Sequence, residues 1–186
     1  IELIHNKKTI LQDIGVLKTD NKTTYFNNVA GLGYDGYIVN KLKSLKKFGS
    51  ISYTLAGIYG LLFYKKSKFK IIFSNKNIET KCLMTVIGIC KFSGGGMQFT
   101  KDVNTKDGLL DIAIYKDIGF WDLIINLPKL YSGEIVHHKK VANYKTKEIT
   151  INPQNSKPFI QADGELVETG KITVNILEKG INFIVN

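Results

Sequence analysis

The chain of 186 residues carries 26 lysines and arginines against 16 acidic residues, a formal net charge of +10. A hydrophobic fraction of 44% with 23% charged residues supplies a core, excludes gross disorder and suits one domain or two small ones. The basic balance favours anionic partners (phosphates, anionic lipid headgroups or nucleic acid) or serves as a plain lysine-covered surface.

Ile1 is not an initiator methionine, so the chain reads as a piece of a longer polypeptide. Residues 9–19 read as a strand with Asp13 inside it, Asp20, Asn21 and Lys22 as a turn, and residues 23–29 as a second strand. Residues 28–36 read as a loop, in which Gly31, Gly33 and Gly36 satisfy the spacing G-x-G-x-x-G. A dinucleotide site would need a parallel strand ending in an acid to follow. Here one helix, 34–47, runs on into another, 51–64, so that reading is rejected. Asp35 then has two readings: an acid in the first turn of a helix, where it meets the helix dipole, or a substrate-cleft residue. The first helix places Tyr34, Tyr37, Ile38, Leu42 and Leu45 on one face and lysines largely on the other. The second, with Ser50 as its cap, is apolar almost all round and ends in Lys65, Lys66, Lys68 and Lys70. It is shorter than the roughly 18 apolar residues of a membrane span. It is therefore a buried helix or an interfacial one whose lysines meet lipid headgroups.

Residues 69–73 and 78–89 read as strands, and the apolar run through Ile87 and Ile89 suggests a strand covered on both faces. Cys82 lies on this strand and Cys90 just follows it; eight residues at strand rise would put them about 26 Å apart, too far for a disulfide. Free thiols and no signal peptide point to a reducing, cytoplasmic setting. Next comes FSGGGMQFTKDVNTKDGLLDIAIY, residues 92–115. Gly94, Gly95 and Gly96 permit positive φ and close backbone approach. Asp102, Asn104 and Asp107 put oxygens into a loop, and Leu110, Ile112 and Ile114 alternate with Asp111, Ala113 and Tyr115 as in a half-buried strand. Counted from Asp102, the glycine and glutamate positions of an EF-hand hold Asp107 and Ala113, which excludes that motif. A hard cation remains open here through Asp107 and backbone carbonyls. Residues 117–133 form a third helix with Trp121, Leu123, Ile124, Leu127 and Leu130 inside, kinked or shortened at Pro128. His137 and His138 point to opposite faces and have no acid or cysteine cluster beside them, so they read as a solvated turn. Residues 141–151, 158–162, 171–177 and 181–185 are strands, and Asp163-Gly164-Glu165 reads as a hairpin turn. The whole is mainly β (α+β), a two-layer β-sandwich or distorted barrel with about three helices.

Four stretches occur in the same order as in one known family: Asp13-Ile14-Gly15, FNNVAGLGYDG at 26–36, FSGGGM with D-x-N-x-x-DGLLD, and QADGE at 161–165. Over nearly its whole length the chain resembles the C-terminal half of the bacterial diacylglycerol kinase and sphingosine kinase-like lipid kinases. The resemblance implies that residues 1–186 are a lipid-facing C-terminal domain. The N-terminal nucleotide-binding domain, with the family's GGDG motif, lies outside this sequence; the nearest match here is ADGE. It implies transfer of the γ-phosphate of ATP to a lipid hydroxyl, diacylglycerol-like, with magnesium. On that resemblance Glu165 is the general base, and Asp13 faces the other domain and supports the magnesium network. Gly94, Gly95, Gly96 and Asp35 shape the substrate cleft. The Asp107 side chain, with the carbonyls of Asn104 and Leu109, holds a structural magnesium. Ala162 replaces a commoner valine, and Asn104 stands where some members have lysine. The implied partners are a lipid at the membrane surface and the chain's own N-terminal domain, in a cytoplasmic protein peripheral to the membrane, with room for a homodimer. No nucleic-acid motif occurs. Two other readings stand beside this one: an NAD kinase-like C-terminal domain, and a non-catalytic module that binds anionic membrane. FSGGGM and DGLLD favour the lipid branch over the NAD kinases.

Overall fold

The computed structural model describes residues 8–42, 57 and 60–185. Strands among them pair into two six-stranded sheets. In chain order they are β1 (Thr9–Lys18), β2 (Thr23–Phe26), β3 (Val29–Gly33), β4 (Ser67–Phe73), β5 (Asn77–Cys82), β6 (Met84–Gly88), β7 (Leu110–Tyr115), β8 (Val141–Thr146), β9 (Glu148–Pro153), β10 (Phe159–Ala162), β11 (Glu165–Thr169) and β12 (Ile172–Ile184). Helix α1 (Tyr34–Leu42) follows β3; helix α2 (Phe120–Ser132) and a 3-10 turn, Glu134–His137, lie between β7 and β8. The first sheet runs β2-β1-β12-β9-β4-β5 and the second β11-β10-β3-β6-β7-β8. All these pairings are antiparallel. Neither sheet closes on itself, so the sandwich is the fold and the barrel alternative is not.

The two sheets are buried differently, and their sequences say why. β4 alternates, with Phe69, Ile71 and Phe73 inside and Lys68 outside, the pattern of a sheet with one wet face. β3, β6 and β7 are buried at every position. Their inner face packs Leu32, Ile87 and Ile112 against Phe69, Ile71, Ile149, Ile151 and Val174 of the first sheet. Their outer face puts Val86, Ala113 and Tyr115 beneath Tyr34, Leu61, Leu130, Ile135 and Val136. Each large side chain buried this way contributes roughly 1.5–3 kcal/mol of transfer free energy. The doubly covered strand expected around Ile87 is thus central β6.

Three segments that read as single strands change sheet midway. Residues 23–29 break at Asn27 and Asn28, 78–89 at Leu83, and 141–151 at Lys147. The corner at Leu83 is held by its backbone. Its N–H donates to the carbonyls of Tyr115 (2.7 Å) and Lys116 (3.1 Å), and its own carbonyl accepts from Tyr34 N–H (3.0 Å). The break also parts the cysteines: Cys82 ends β5 and Cys90 lies past β6, and both are free thiols. Residues 171–177 and 181–185 form one strand, β12, and β1 shifts register against it between Gln12 and Ile14. Residues 28–36 are not a loop: they hold β3 and the start of α1.

Helix α2 continues through Pro128 to Ser132. His137 ends the 3-10 turn, and His138 Nδ1 accepts from Lys140 N–H at 3.2 Å. Most of the expected helix 51–64 and the end of helix 34–47 lie outside the described residues; residues 57 and 60–63 are helical. Among the described residues no helix is long and apolar enough to cross a membrane.

Candidate functional site

The helical side of the second sheet encloses a cavity of about 990 Å³. Residues three and four apart share a helix face, so α2 turns Leu123, Leu127 and Leu130 into it, and α1 adds Tyr34 and Ile38. Met84 and Tyr115 from the sheet complete an apolar body. One end is polar, formed by Asn27, Asn28, Asp35, Gln161, Asp163 and Gly164, with Ser93, Gly94 and Gly95 beside it. An apolar pocket with a few convergent polar groups is the usual form of a small-molecule site.

The polar end is built on the β10–β11 hairpin. Ala162 pairs with Glu165, and Asp163 (φ 49°) and Gly164 (φ 80°) are both left-handed, the conformation of a two-residue type I′ turn. The Asp163 carboxylate accepts three backbone N–H groups, from Asn27 (2.9 Å), Asn28 (3.0 Å) and Val29 (3.0 Å). It therefore clamps the turn to the corner where the chain passes from β2 to β3. Gln161, almost fully buried, accepts from Gly164 N–H through Oε1 (2.9 Å) and donates from Nε2 to Asp35 Oδ2 (2.6 Å). Burial pushes the Asp35 carboxyl up to about 6, and the Gln161 hydrogen bond only partly opposes this. Glu165 begins β11 on the far side of the turn, exposed to solvent and outside the cavity lining.

The glycines of GLGYDG serve packing. A Cβ on Gly31 would collide with Asp35 Oδ2, and one on Gly36 with the Phe159 carbonyl. They let the Asp35 carboxylate lie against β3 and α1 lie against β10. Gly94, Gly95 and Gly96, with φ of 55°, 82° and 103°, form a tight turn closed by two hydrogen bonds between Ser93 and Met97. A Cβ on Gly95 or Gly96 would meet nothing within 4 Å, so backbone conformation, not close approach, selects glycine there.

The acidic loop lies apart from the cavity lining. The register shift in β1 turns both Gln12 and Asp13 inward. Gln12 donates to the Asn27 carbonyl (3.0 Å). Asp13 accepts from Gly108 N–H (2.8 Å) and Lys179 N–H (2.7 Å), and its own N–H donates to the Thr105 carbonyl (2.8 Å). Each oxygen of Asp13 thus holds a backbone amide. Asp107 accepts from Leu109 N–H (3.1 Å) and from Lys145 Nζ (2.8 Å), and Asn104 Oδ1 accepts from Lys106 N–H (3.1 Å). Lys145 also lies 3.2 Å from buried Asp111, whose carboxyl burial pushes up to about 6 against the pull of that ammonium. A cation already sits on this loop, and a divalent ion at Asp107 would compete with it.

A family model described as the YegS C-terminal NAD kinase beta sandwich-like domain matches residues 28–185. The chain belongs to this family. A curated relative from Bacillus subtilis (strain 168), named "Putative lipid kinase YtlR", is 23% identical over 168 residues, covering 86% of this chain and 54% of its own length. A "putative diacylglycerol kinase" from Bacillus anthracis str. Sterne superimposes with a TM-score of 0.74 at 20% identity, over 100% of this chain and 60% of that one. An NAD kinase from Archaeoglobus fulgidus in complex with ATP gives 0.51 at 11% identity, over 100% of this chain and 58% of that one. At these identities the structures support the fold. The YegS-type chain spans about half the length of the curated relative it matches.

In this YegS-type domain the residues singled out from sequence fall into three sets. Asp35, Gly94 and Gly95 meet at the polar end of the cavity. Asp13 joins the loop of Asn104, Asp107 and Leu109 through Gly108. Gly96 and Glu165 flank the cavity without lining it. Sequence reasoning missed Gln161 and the clamp made by Asp163. The Asp-Gly pair marked the turn, but nothing local says which backbone amides its carboxylate will hold.

Proposed function

We propose that this YegS-type domain is the lipid-facing lobe of an ATP-dependent lipid kinase. The observation that carries this is the large apolar cavity ending in Asp35, Gln161 and the Asp163-Gly164 turn. An acyl chain suits the body and a hydroxyl suits the end. The lipid oxygen forms a bond to the γ-phosphorus of ATP, the bond to the β-phosphate oxygen breaks, ADP leaves, and the hydroxyl proton passes to a carboxylate. Asp35, ionised above about pH 6, holds the Gln161 amide at the polar end of the cavity and so shapes the site that receives the hydroxyl. Glu165, exposed on the rigid strand after the turn, takes the proton as the base. Asp13 holds the acidic loop to β1 behind them. Magnesium with ATP supplies neutralisation of the phosphate charge. The ATP phosphates fall to polypeptide beyond the matched region, as the length of the relatives suggests.

The test is γ-phosphate transfer from ATP to a lipid panel by the intact polypeptide and its Glu165→Gln and Asp35→Asn variants. Glu165→Gln is expected to lose most turnover while still binding lipid, and Asp35→Asn to raise KM. Undiminished turnover in Glu165→Gln removes the base assignment. Labelling of no lipid removes the kinase reading and leaves the cavity as a lipid-binding site.

A further inference from the structure

Helix α2 is apolar on two faces, and only one of them is covered. Leu123, Leu127 and Leu130 face the cavity. On the opposite side Trp121 is 72% exposed and Ile125, one turn on, 71% exposed. A helix apolar all round is normally buried or in a membrane. Near the cavity mouth Tyr131 and Phe92 add further exposed aromatic surface, at 49% and 52%. Single exposed hydrophobics are ordinary, but an aligned set is not.

We propose that the outer face of α2 is the surface by which the domain lies on an anionic lipid bilayer, with Trp121 and Ile125 among the headgroups and upper acyl chains. This deepens the lipid-kinase reading and takes its meaning from it, but its test does not depend on catalysis. Charge points to the same occupant. The one acid of α2, Asp122, is paired with Lys140 at 2.6 Å and accepts from Gly119 N–H, so it faces no partner outside. Lys129 lies in the last turn, one turn beyond Ile125. Lys91 stands 5.2 Å from the Phe92 ring centre, and the chain carries +10 overall. Aromatic and aliphatic groups bordered by lysine fit the boundary of an anionic leaflet. Thirteen residues make a helix about 20 Å long, too short to span but suited to lying flat. Because α2 is also a wall of the cavity, lying flat brings Tyr131 and the Gly94–Gly95 rim, both lining the cavity, to the leaflet. A lipid could then pass between bilayer and cavity without crossing water.

Trp121 is the single tryptophan of the chain, so its emission reports this face alone. The protein is titrated with phosphatidylcholine vesicles with and without phosphatidylglycerol, and with vesicles brominated on the upper acyl chain. A blue shift and bromine quenching are expected with phosphatidylglycerol present, and Ile125→Glu should weaken partition roughly tenfold or more. Ile125 is exposed, so that variant should keep the wild-type circular dichroism; Ile125→Trp, a second variant, should partition at least as tightly as wild type. Co-sedimentation without a change in Trp121 emission would place the contact on another face and overturn the proposal. So would undiminished partition of Ile125→Glu, or conversion of a dimer to a monomer by Ile125→Glu with no effect on vesicles, which would make the face an interface between copies. Transfer to lipid in detergent micelles separates the two readings. If micellar transfer survives in Ile125→Glu while vesicle transfer falls, docking is supported. If wild type transfers phosphate in neither medium, the kinase reading fails and vesicle partition alone decides the docking surface.

Discussion

Asp35 shows how one residue ties stability to function. Its carboxyl is raised from 3.8 to about 6 because burial disfavours the charge. Between those values the folded chain holds a proton that the unfolded chain releases. The stabilisation is therefore full below about pH 3.8 and is lost as pH rises through 6. Asp35→Asn has no proton to lose and can still accept from Gln161. It should match wild type near pH 4 and exceed it by at most about 3 kcal/mol at pH 7.5, as thermal melts at the two pH values would show. Equal melting offsets at both pH values would mean the carboxylate is not desolvated. Lys145 provides the complementary case. Without its ammonium, buried Asp111 would be pushed above its present value of about 6. Lys145→Met should cost roughly 3 kcal/mol at pH 8 and recover towards pH 5 as Asp111 takes a proton. If the acidic loop can seat a divalent ion through Asp107, millimolar magnesium or calcium should restore the variant at pH 8. A melt unmoved by either ion would leave Lys145 as the loop's own cation.

At the scale of elements, the strands were legible and their corners were not. The apolar run at Ile87 marked a doubly covered strand, but the period of two at Leu110, Ile112 and Ile114 read as half-buried a strand, β7, that is buried at every position because helices cover its outer face. The corners at Asn27-Asn28, Leu83 and Lys147 hold neither glycine nor proline, and the alternation runs across them. Only the partner sheet shows where the chain turns. GLGYDG looked like a ligand loop because close packing of a helix on a sheet demands the same glycines as a phosphate cradle. The Asp163 clamp belongs to this scale because it joins the β10–β11 hairpin to the β2–β3 corner. Asp163→Ala would strand three amide donors. At about 1–3 kcal/mol for each buried unpaired donor, a loss of roughly 3 kcal/mol is expected even with partial solvation. Asp163→Asn keeps one carbonyl oxygen, so it should retain the Asn28 and Val29 bonds and lose less. Urea denaturation of the two variants checks the order; equal losses would mean that the charge, not the acceptor geometry, holds the corner.

The whole molecule is asymmetric. The first sheet keeps one wet face, while the outer face of the second carries the helices, the cavity and the exposed face of α2. The cavity and the exposed helix face proposed to meet lipid therefore lie on one side of the sandwich, and the hairpin bearing Glu165 stands at the polar end of the cavity. Two lysines near the acidic residues are spent on them, Lys145 on Asp107 and Asp111 and Lys140 on Asp122, and so do not serve as donors for ATP phosphates. The curated relative is nearly twice as long as the matched stretch, which leaves room for such donors elsewhere in the polypeptide. The expected division of labour is sharp. The 186-residue chain alone should take up a fluorescent acyl-chain analogue, and Leu127→Trp, which fills the cavity from α2, should reduce that uptake. The same chain should transfer no phosphate from ATP. Adding the remaining polypeptide in trans should bring transfer back, and only when Glu165 is intact. Transfer by the 186 residues alone would move ATP recognition into this sandwich. Uptake indifferent to Leu127→Trp would mean that the lipid binds somewhere other than the cavity.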